Sequence, residues 1–472
     1  MAEPANSLVK RNGLERFLLL FADVRAGEGF TAVLLTVNLF FLLAAYLIIK
    51  TVREALILSE GGAEVKSYAA AGQALLLFLL VPAYGYLASK VNRIKLINGA
   101  TLFFISNLAV FYLMSRLEVP LGVAFFLWVG IFNLFIIAQF WSFANDIYTE
   151  YQGKRLFAIV AFGGSLGGVL GPQVASALFE PLGPYRLMLV TAALLAVCLV
   201  FPNIVNRIGS GGDRTAKDDR NAAQPLEKGG AFKLVLGKPY LLLIAFLLIV
   251  SNLVNTTGEF ILSKTVTEEA QRLANAAPAL KQAADKTKPD ALQERNKKVQ
   301  AFIARFYGDF FSTVGLASVL AQLFLVSRIM KLCGVPASLY FLPVIALTGY
   351  SLIAFLPALV FVRWAKIVEN STDYSLQNTV RQALFLPTTR EEKYKAKAAI
   401  DTFFVRIGDV LSAGLVRLSR EFALTLQTLS VVNVSFTALW LLLVVGIGAS
   451  YRALAARQIK AVSQSDSAGR SP

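Results

Sequence analysis

The sequence predicts an all-α integral membrane protein with twelve transmembrane helices in two six-helix halves. Three observations lead there. Of 472 residues, 56% are hydrophobic and 16% charged, with a mean hydropathy of +0.60, a composition that no ordinary soluble domain shares. Apolar stretches of about 20 residues, each enough to cross the hydrocarbon core of a bilayer, recur along the chain in two groups of six. Basic residues concentrate in alternate connecting loops, as the positive-inside rule requires of a multi-pass protein.

In chain order, residues 1–29 carry Lys10, Arg11, Arg16 and Arg25 around the short run FLLLFA. That run is too short to span a bilayer or to form a signal-peptide core, and reads as an amphipathic helix at the cytoplasmic interface. The first half occupies 30–206, with spans near 30–49, 67–88, 96–114, 119–144, 156–179 and 186–206. A cytoplasmic linker follows at 207–239, centred on GSGGDRTAKDDRNAAQ. The second half occupies 240–450, with spans near 240–262, 303–326, 335–355, 358–380, 397–416 and 429–450. Its Ala-, Glu-, Gln- and Lys-rich insertion at 263–302 reads as an extracytoplasmic helical hairpin or cap, and the polar tail 451–472 as a largely disordered cytoplasmic segment.

The formal charge of +16 follows this topology. With both termini cytoplasmic, the inside segments hold 27 Lys and Arg residues and the short outside loops 7. The insertion is richer in basic residues, but long translocated segments escape the rule. This distribution follows membrane topology and not nucleic-acid binding. The expected setting is the inner (cytoplasmic) membrane, in contact with lipid, and a monomer is expected.

Enzyme chemistry finds little support. There are no histidines, which removes the commonest catalytic base and metal ligand. The two cysteines, Cys198 and Cys333, have neither disulfide nor metal-ligand spacing. Neither GxGxxG nor GxxxxGK[ST] occurs, so a soluble-type phosphate cradle is absent. No cofactor and no metal is expected.

The chemistry gathers in the tenth and eleventh spans. Arg363, Lys366, Asn370, Asp373, Gln377 and Arg381 recur every three or four positions and so share one helix face. Charges inside a membrane helix cost roughly 2.5 to 3.5 kcal/mol each on insertion scales and normally face a protein interior or an aqueous pathway. The rail therefore reads as the lining of a solute cavity; a structural ion-pair network between helices ten and eleven, joined by Asp401, Arg406 and Asp409, is the alternative. Elsewhere Asn252, Asn255 and Glu259 share a face of the seventh span, Tyr46, Lys50 and Arg53 a face of the first, and Gln139, Ser142 and Asp146 a face of the fourth. Lys50, Arg53 and Asp146 lie close enough to span ends that snorkelling to the interface is an equal reading. Gly163, Gly167 and Gly171, four apart and followed by Pro172, read as a surface for close helix packing or rocking, with direct ligand contact as the alternative.

Two six-helix halves joined by a long loop is the plan of the major facilitator superfamily, in which substrate binds near the midplane between the halves. The stretch GYLASKVNRIKL, from Gly85 to Leu96, loosely resembles that superfamily's loop between helices two and three, with Ser89 in place of the Asp and Asn92 in place of the second Gly. A narrower resemblance lies in QFWSFANDIYTEYQGKRLFAIVAFGGSLGG, Gln139 to Gly168, and in DYSLQNTVRQALFLP followed by KAKAAIDTFFVRIGDVLSAG. These are similar, in order and spacing, to the Phe-Trp-Gly-Phe-Ala-Asn, Tyr-Ser-Leu-Phe-Asp and Lys-Gly-Lys-Ala-Ala-Ile-Asp stretches of the ATP/ADP translocases. The resemblance covers nearly all of Phe30 to Tyr451. It implies that Lys50 and Asp146 lie on the substrate path and that Arg381 stands where the family has a lysine. Three positions depart from the family: Gln377 and Asn378 replace Phe-Asp, Arg381 and Gln382 replace Lys-Glu, and Asp409 replaces a lysine of the eleventh span.

The reading is an alternating-access transporter, not an enzyme, exchanging nucleotides or a related phosphorylated anion. Lys50, Arg53, Asp146, Glu259, Arg363, Lys366, Asp373, Gln377, Asn378, Arg381, Asp401, Arg406 and Asp409 are its candidate substrate-binding residues. Within that set Arg363, Lys366 and Arg381 would attract phosphate, and Asp373, Gln377 and Asn378 would orient the rest of the solute. The alternatives are a proton-coupled carrier of another organic solute, using Asp373, Asp401 or Asp409, and a non-transporting sensor or scaffold acting through 263–302.

Overall fold

A computed structural model describes residues 12–19, 24–117, 119–148, 150–209, 231–276, 289–389, 392 and 396–468. Among these, all regular structure is helical. Residues 1–11, most of the linker (210–230), the tip of the insertion (277–288), 469–472 and the Ser89 side chain lie outside the described set.

The short helix α1 (Gly13–Leu18) marks the amphipathic segment. It is held by a reciprocal cap: the Glu15 N–H donates to Asn12 Oδ1 and the Asn12 N–H to Glu15 Oε2, both at 2.8 Å. Four long helices follow, α2 (Gly29–Glu60), α3 (Gly62–Lys90), α4 (Arg93–Met114) and α5 (Gly122–Ile147). Then α6 (Glu150–Cys198) is broken at Gly183, whose φ of 76° takes the chain out of helical geometry just before Pro184. After α7 (Val200–Gly209) and α8 (Ala231–Gly237), α9 (Pro239–Ala276) and α10 (Pro289–Ala321) continue the seventh and eighth expected spans into the insertion, whose tip lies outside the described residues. A second break of the same kind, Gly334 at φ 74° ahead of Pro336, interrupts α11 (Ser327–Ser338). The chain ends with α12 (Phe341–Phe355), α13 (Leu359–Thr372), α14 (Asn378–Ala383), α15 (Lys397–Ala399), α16 (Val405–Glu421) and α17 (Leu426–Ala468).

Among the described residues eight helices are long and apolar enough to cross a membrane. One of them, Arg155–Ile208, has 54 residues and contains the Gly183 break, so it holds the fifth and sixth expected spans. The expected ninth, tenth and eleventh spans are missing from that set because their helices are short: Phe341–Phe355 has 15 residues, Leu359–Thr372, which runs into a π-helical turn, has 14, and Val405–Glu421, which follows another, has 17. The surface carries what a lipid contact needs: Leu102, Leu113, Leu323, Phe355 and Leu442 are all more than half exposed, which water would penalise and hydrocarbon would not. The expected disorder of the tail is corrected. Residues 451–468 continue α17, since YRALAARQIKAV is rich in good helix formers and extending an existing helix avoids the cost of nucleation.

The chain divides into two compact units, Met1–Glu60 with Leu80–Thr215 and Gln300–Ser312, and Gly61–Leu79 with Ala216–Val299 and Thr313–Pro472. In the first, α2 lies against α6 at the glycine stripe. A Cβ on Gly163 would sit 2.1 Å from the Thr36 carbonyl oxygen, one on Gly167 2.3 Å from that of Phe40, and one on Gly171 2.7 Å from that of Ala44. The packing reading of that stripe is the one the backbone requires. Just ahead of α2, the Glu28 carboxylate accepts from Arg155 at 2.8 Å and from Gln152 at 3.2 Å. Burial alone would raise its pKa, but these bonds and the Arg25 N–H together hold it below the usual carboxylate value.

In the second unit α9 is the central element, packed by α13, α16 and α17, with α12 against α13 and α17. Gly408 on α16 permits one of these contacts, for its Cβ would meet the Ile249 carbonyl oxygen and the Leu253 nitrogen at 2.8 Å.

Placing a methyl at Gly163 or Gly167 forces α2 and α6 apart and is expected to cost about 1 to 3 kcal/mol. Gly168→Ala, which meets nothing within 4 Å, leaves stability unchanged or slightly higher. Thermal melting of the three purified variants checks this, and equal melting temperatures would refute the close approach.

Candidate functional site

The polar rail runs down α13, through a π-helical turn at Asp373–Gln377, into α14. Its apolar side, with Phe361, Trp364, Val368 and Tyr374, is exposed, while Lys366, Asn370 and Gln377 are buried and Arg363, Asp373 and Arg381 half-buried. The face chosen by periodicity is thus the one turned inward. The π-helical turn adds a residue to the helix and re-aims the side chains beyond it, an irregularity often found at functional sites. A second such turn, Ile400–Phe404, contains Asp401.

Lys366 is the centre of the most buried cluster. It is 0% exposed, and its Nζ lies 3.0 Å from Glu369 Oε2 and 3.6 Å from Glu259 Oε1 while donating to Asn255 Oδ1 at 2.9 Å. Glu369 also accepts from the Tyr350 hydroxyl at 2.7 Å, and Glu259 from Asn370 Nδ2 at 3.0 Å. Gly258 makes room for this arrangement: a Cβ there would lie 1.8 Å from the Tyr350 hydroxyl and 3.1 Å from Lys366 Nζ. An ammonium stripped of water requires such partners, and here two carboxylates and an amide supply them.

A second cluster joins α16 to α9. Asp409 is 7% exposed and accepts from Asn252 Nδ2 at 2.8 Å, from the Thr256 hydroxyl at 2.9 Å and from Arg406 at 3.1 Å. The position where ATP/ADP translocases carry a lysine is therefore a satisfied helix-to-helix clamp. A third group is looser: Arg381 stands 3.9 Å from Asp401, which also pairs with Lys397 at 3.0 Å, and donates to Asn378 Oδ1 at 3.3 Å. That pairing links helices ten and eleven as the network reading expects. The Lys366 cluster differs from it, because its partners come from α9, the seventh expected span.

In the first unit, Lys50 lies 4.1 Å from the ring centre of Phe311, and Arg53 pairs with the buried Glu54 while stacking on Phe126 at 4.4 Å. Asp146 is about half exposed and pairs with Arg93 at 2.6 Å, between the end of α5 and the start of α4. The structure thus gathers Glu259 with Lys366, Arg381 with Asn378 and Asp401, and Arg406 with Asp409, and leaves Asp146 in a surface ion pair.

Sequence reasoning undervalues two partners. Glu369 is not among the rail positions singled out there, and Tyr350, alone in an apolar run, gives no periodic signal. Asn255 and Asn370 are visible as members of their polar faces, but their pairing across α9 and α13 is not.

Comparison with known proteins now has a geometry to attach to. Residues 343–451, which hold Tyr350, Lys366, Glu369, Arg381 and Asp409, match the TLC ATP/ADP transporter family. The chain is a multi-pass membrane transporter. It is similar to the ADP,ATP carrier protein 1 of Chlamydia pneumoniae, 22% identical over 383 residues that span 71% of this chain and 68% of the carrier. The carrier of the same name from Chlamydia trachomatis is 23% identical over 336 residues, 64% of this chain and 56% of that carrier, so the match spans little more than half of the latter's length. Among solved structures, the nucleoside transporter NupG superposes with a TM-score of 0.60 at 10% identity, covering 89% of this chain and 98% of that one. A POT family transporter in complex with 5-aminolevulinic acid gives 0.56 at 14% identity, covering 88% and 96%. The fold is thus that of the major facilitator-type transporters, and the resemblance to ATP/ADP translocases seen in the sequence holds.

Removing Lys366 leaves two carboxylates facing each other in a dry site. Lys366→Met is expected to destabilise by about 3 to 5 kcal/mol, the cost typical of breaking a buried ion pair from one side. Adding Glu369→Met should recover part of that loss. A thermal-melting double-mutant cycle reads the coupling, and additive effects would show that the pair is not coupled.

Proposed function

We propose that this transporter exchanges nucleotides of the ATP/ADP type, or a closely related phosphorylated anion, across the inner membrane by alternating access. The observation that carries this reading is that the segment matching the ATP/ADP transporter family is the same segment that holds the rail and its buried charges. We further propose twelve spans and cytoplasmic termini, on the strength of the alternating Lys and Arg distribution, and a monomer.

The roles follow from how firmly each cation is held. Lys366 is enclosed by its partners and orders the second unit. Arg381 is the exchangeable cation: at 3.9 Å from Asp401 it makes a contact without a hydrogen bond, and a phosphate offering two oxygens in a plane is a better partner for a guanidinium. Asp401 retains Lys397 when Arg381 turns to substrate. Arg363 and Arg406 add positive potential, while Glu259 and Asp409 hold cations in place. In the first unit Lys50 and Arg53 carry the corresponding positive charge, with Asp146 and Arg93 acting as a gate pair. Gln377, 4% exposed with neither amide atom bonded among the described residues, and Asn378 orient the remainder of the solute.

Uptake of labelled ATP into proteoliposomes tests the reading directly. Vesicles loaded with ADP should take up ATP and empty ones should not, with little response to an imposed pH gradient. Uptake of no nucleotide by either set sinks the proposal, and uptake driven by the gradient alone turns it to proton coupling.

Within that assay Arg381→Ala is expected to lower kcat/KM about 10- to 150-fold, the loss of one charge-assisted hydrogen bond of roughly 1.5 to 3 kcal/mol. Arg381→Lys should restore only part of the rate, since an ammonium lacks the bidentate fork. Wild-type kinetics in Arg381→Ala would remove that residue from the substrate path.

A further inference from the structure

The second unit contains a pocket in which a carboxylate and an indole N–H stand without hydrogen-bond partners among the described residues. About 410 Å³ of atom-free space, part of it open to solvent, lies beside Asn252 and Asn255 of α9, Glu369 of α13, Asp373 of the π-helical turn, Arg381 of α14 and Trp440 of α17. Leucine and valine side chains complete an apolar floor. Polar groups that converge beside apolar side chains in this way are typical of small-molecule sites.

Most of those polar groups are already engaged. Glu369 serves Lys366 and Tyr350, the Asn252 amide serves Asp409 and the Val405 carbonyl, and Asn255 Oδ1 serves Lys366. Arg381 donates to Asn378 but keeps an unpartnered Nε, the donor that the nucleotide-exchange reading gives to phosphate. Besides it and the Asn255 amide nitrogen, two groups are left. The Asp373 carboxylate accepts no hydrogen bond from the described residues, although it lines the pocket and is only half-exposed. Trp440 is 1% exposed, and its indole N–H has no acceptor among the described residues. A buried N–H without a partner costs free energy unless a ligand or water satisfies it.

Away from Arg381, the free set is one anionic acceptor and one neutral donor beside an aromatic ring. A phosphate chain, which offers only acceptors and negative charge, suits the Arg381 edge of the pocket and would meet repulsion from Asp373 and Glu369 elsewhere in it. A planar ring bearing an N–H donor next to a ring-nitrogen acceptor matches both free groups, and its faces suit the apolar floor.

We propose that this pocket holds the amino-substituted heterocycle of the transported solute, with Asp373 accepting from the exocyclic N–H and Trp440 donating to the ring. The assignment builds on the nucleotide-exchange reading and reverses the naive expectation that the whole rail faces phosphate. It makes Asp373 a specificity residue for the base, separate from Arg381 as the phosphate residue.

Thermal stabilisation of the purified transporter by four probes tests it: adenine, adenosine, purine riboside (adenosine without its exocyclic amine) and inorganic pyrophosphate. Adenine and adenosine should stabilise the wild type, and adenosine should bind at least about tenfold tighter than purine riboside, the worth of a hydrogen bond to a charged acceptor. Asp373→Leu, at a side chain with no hydrogen-bond donor to lose among the described residues, should abolish that preference while leaving pyrophosphate binding in place; Asp373→Asn, which keeps an acceptor oxygen, should retain part of it. Trp440→Phe should weaken adenosine severalfold and spare pyrophosphate. Equal binding of adenosine and purine riboside, a preference that survives Asp373→Leu, loss of pyrophosphate binding in that variant, or no stabilisation by adenine or adenosine at all would each overturn the assignment. The two readings separate cleanly. Asp373-dependent adenine binding without ATP exchange in ADP-loaded vesicles keeps the pocket and removes nucleotide exchange, whereas ATP exchange indifferent to Asp373→Leu keeps exchange and removes the pocket.

Discussion

A lysine ammonium at 0% exposure inside a membrane helix is tolerable only if its hydration is replaced group for group, and the second unit is arranged around doing so for Lys366. Glu369, one turn along on the same helix, supplies one carboxylate. Glu259 and Asn255 supply the rest from α9, which obliges α9 and α13 to lie side by side in one register. Tyr350 of α12 donates to the same Glu369 oxygen that faces Lys366, so a third helix is drawn into the same network. Gly258 is the concession that lets the Tyr350 and Lys366 side chains share that space.

The same logic recurs at the α9–α16 contact with a different residue set. Gly408 brings two backbones within contact distance, and at that separation Asp409 reaches the Asn252 and Thr256 side chains. Hydrophobicity does not drive helices together in lipid, so association rests on close packing and on polar groups that find one another. Both devices appear here, and the glycine stripe between α2 and α6 shows the first of them without the second. Buried pairs of this kind add little net stability but are costly to break, which makes them suited to holding a unit in one arrangement while looser pairs such as Arg381 with Asp401 change partners.

Much of this is legible in the chain itself. Helical spans announce themselves by length and hydropathy, and the inward face of the tenth span by the spacing of Arg363 through Arg381, because a helix fixes the angle between residues regardless of what surrounds it. The glycines at 163, 167 and 171 can be read as a packing surface for the same reason. The tail escapes such a reading when polarity alone is weighed, because Ala-rich sequence continuing a stable helix extends it at low cost.

Composition and periodicity determined the membrane environment and which residues turn away from lipid, and the resemblance of its motifs to those of the ATP/ADP translocases pointed to the transporter class. Only the tertiary structure decided who pairs with whom. Lys366 could have met Asp401 or Asp409 across helices ten and eleven; it meets Glu259 and Asn255 of α9 instead, Asp409 is taken by Asn252 and Thr256, and Asp373 is left to face a pocket. Side-chain direction along one helix is a local property and is written in the sequence, whereas the choice among several possible partners depends on which helices lie adjacent and at what height, and that is settled only when the whole unit packs.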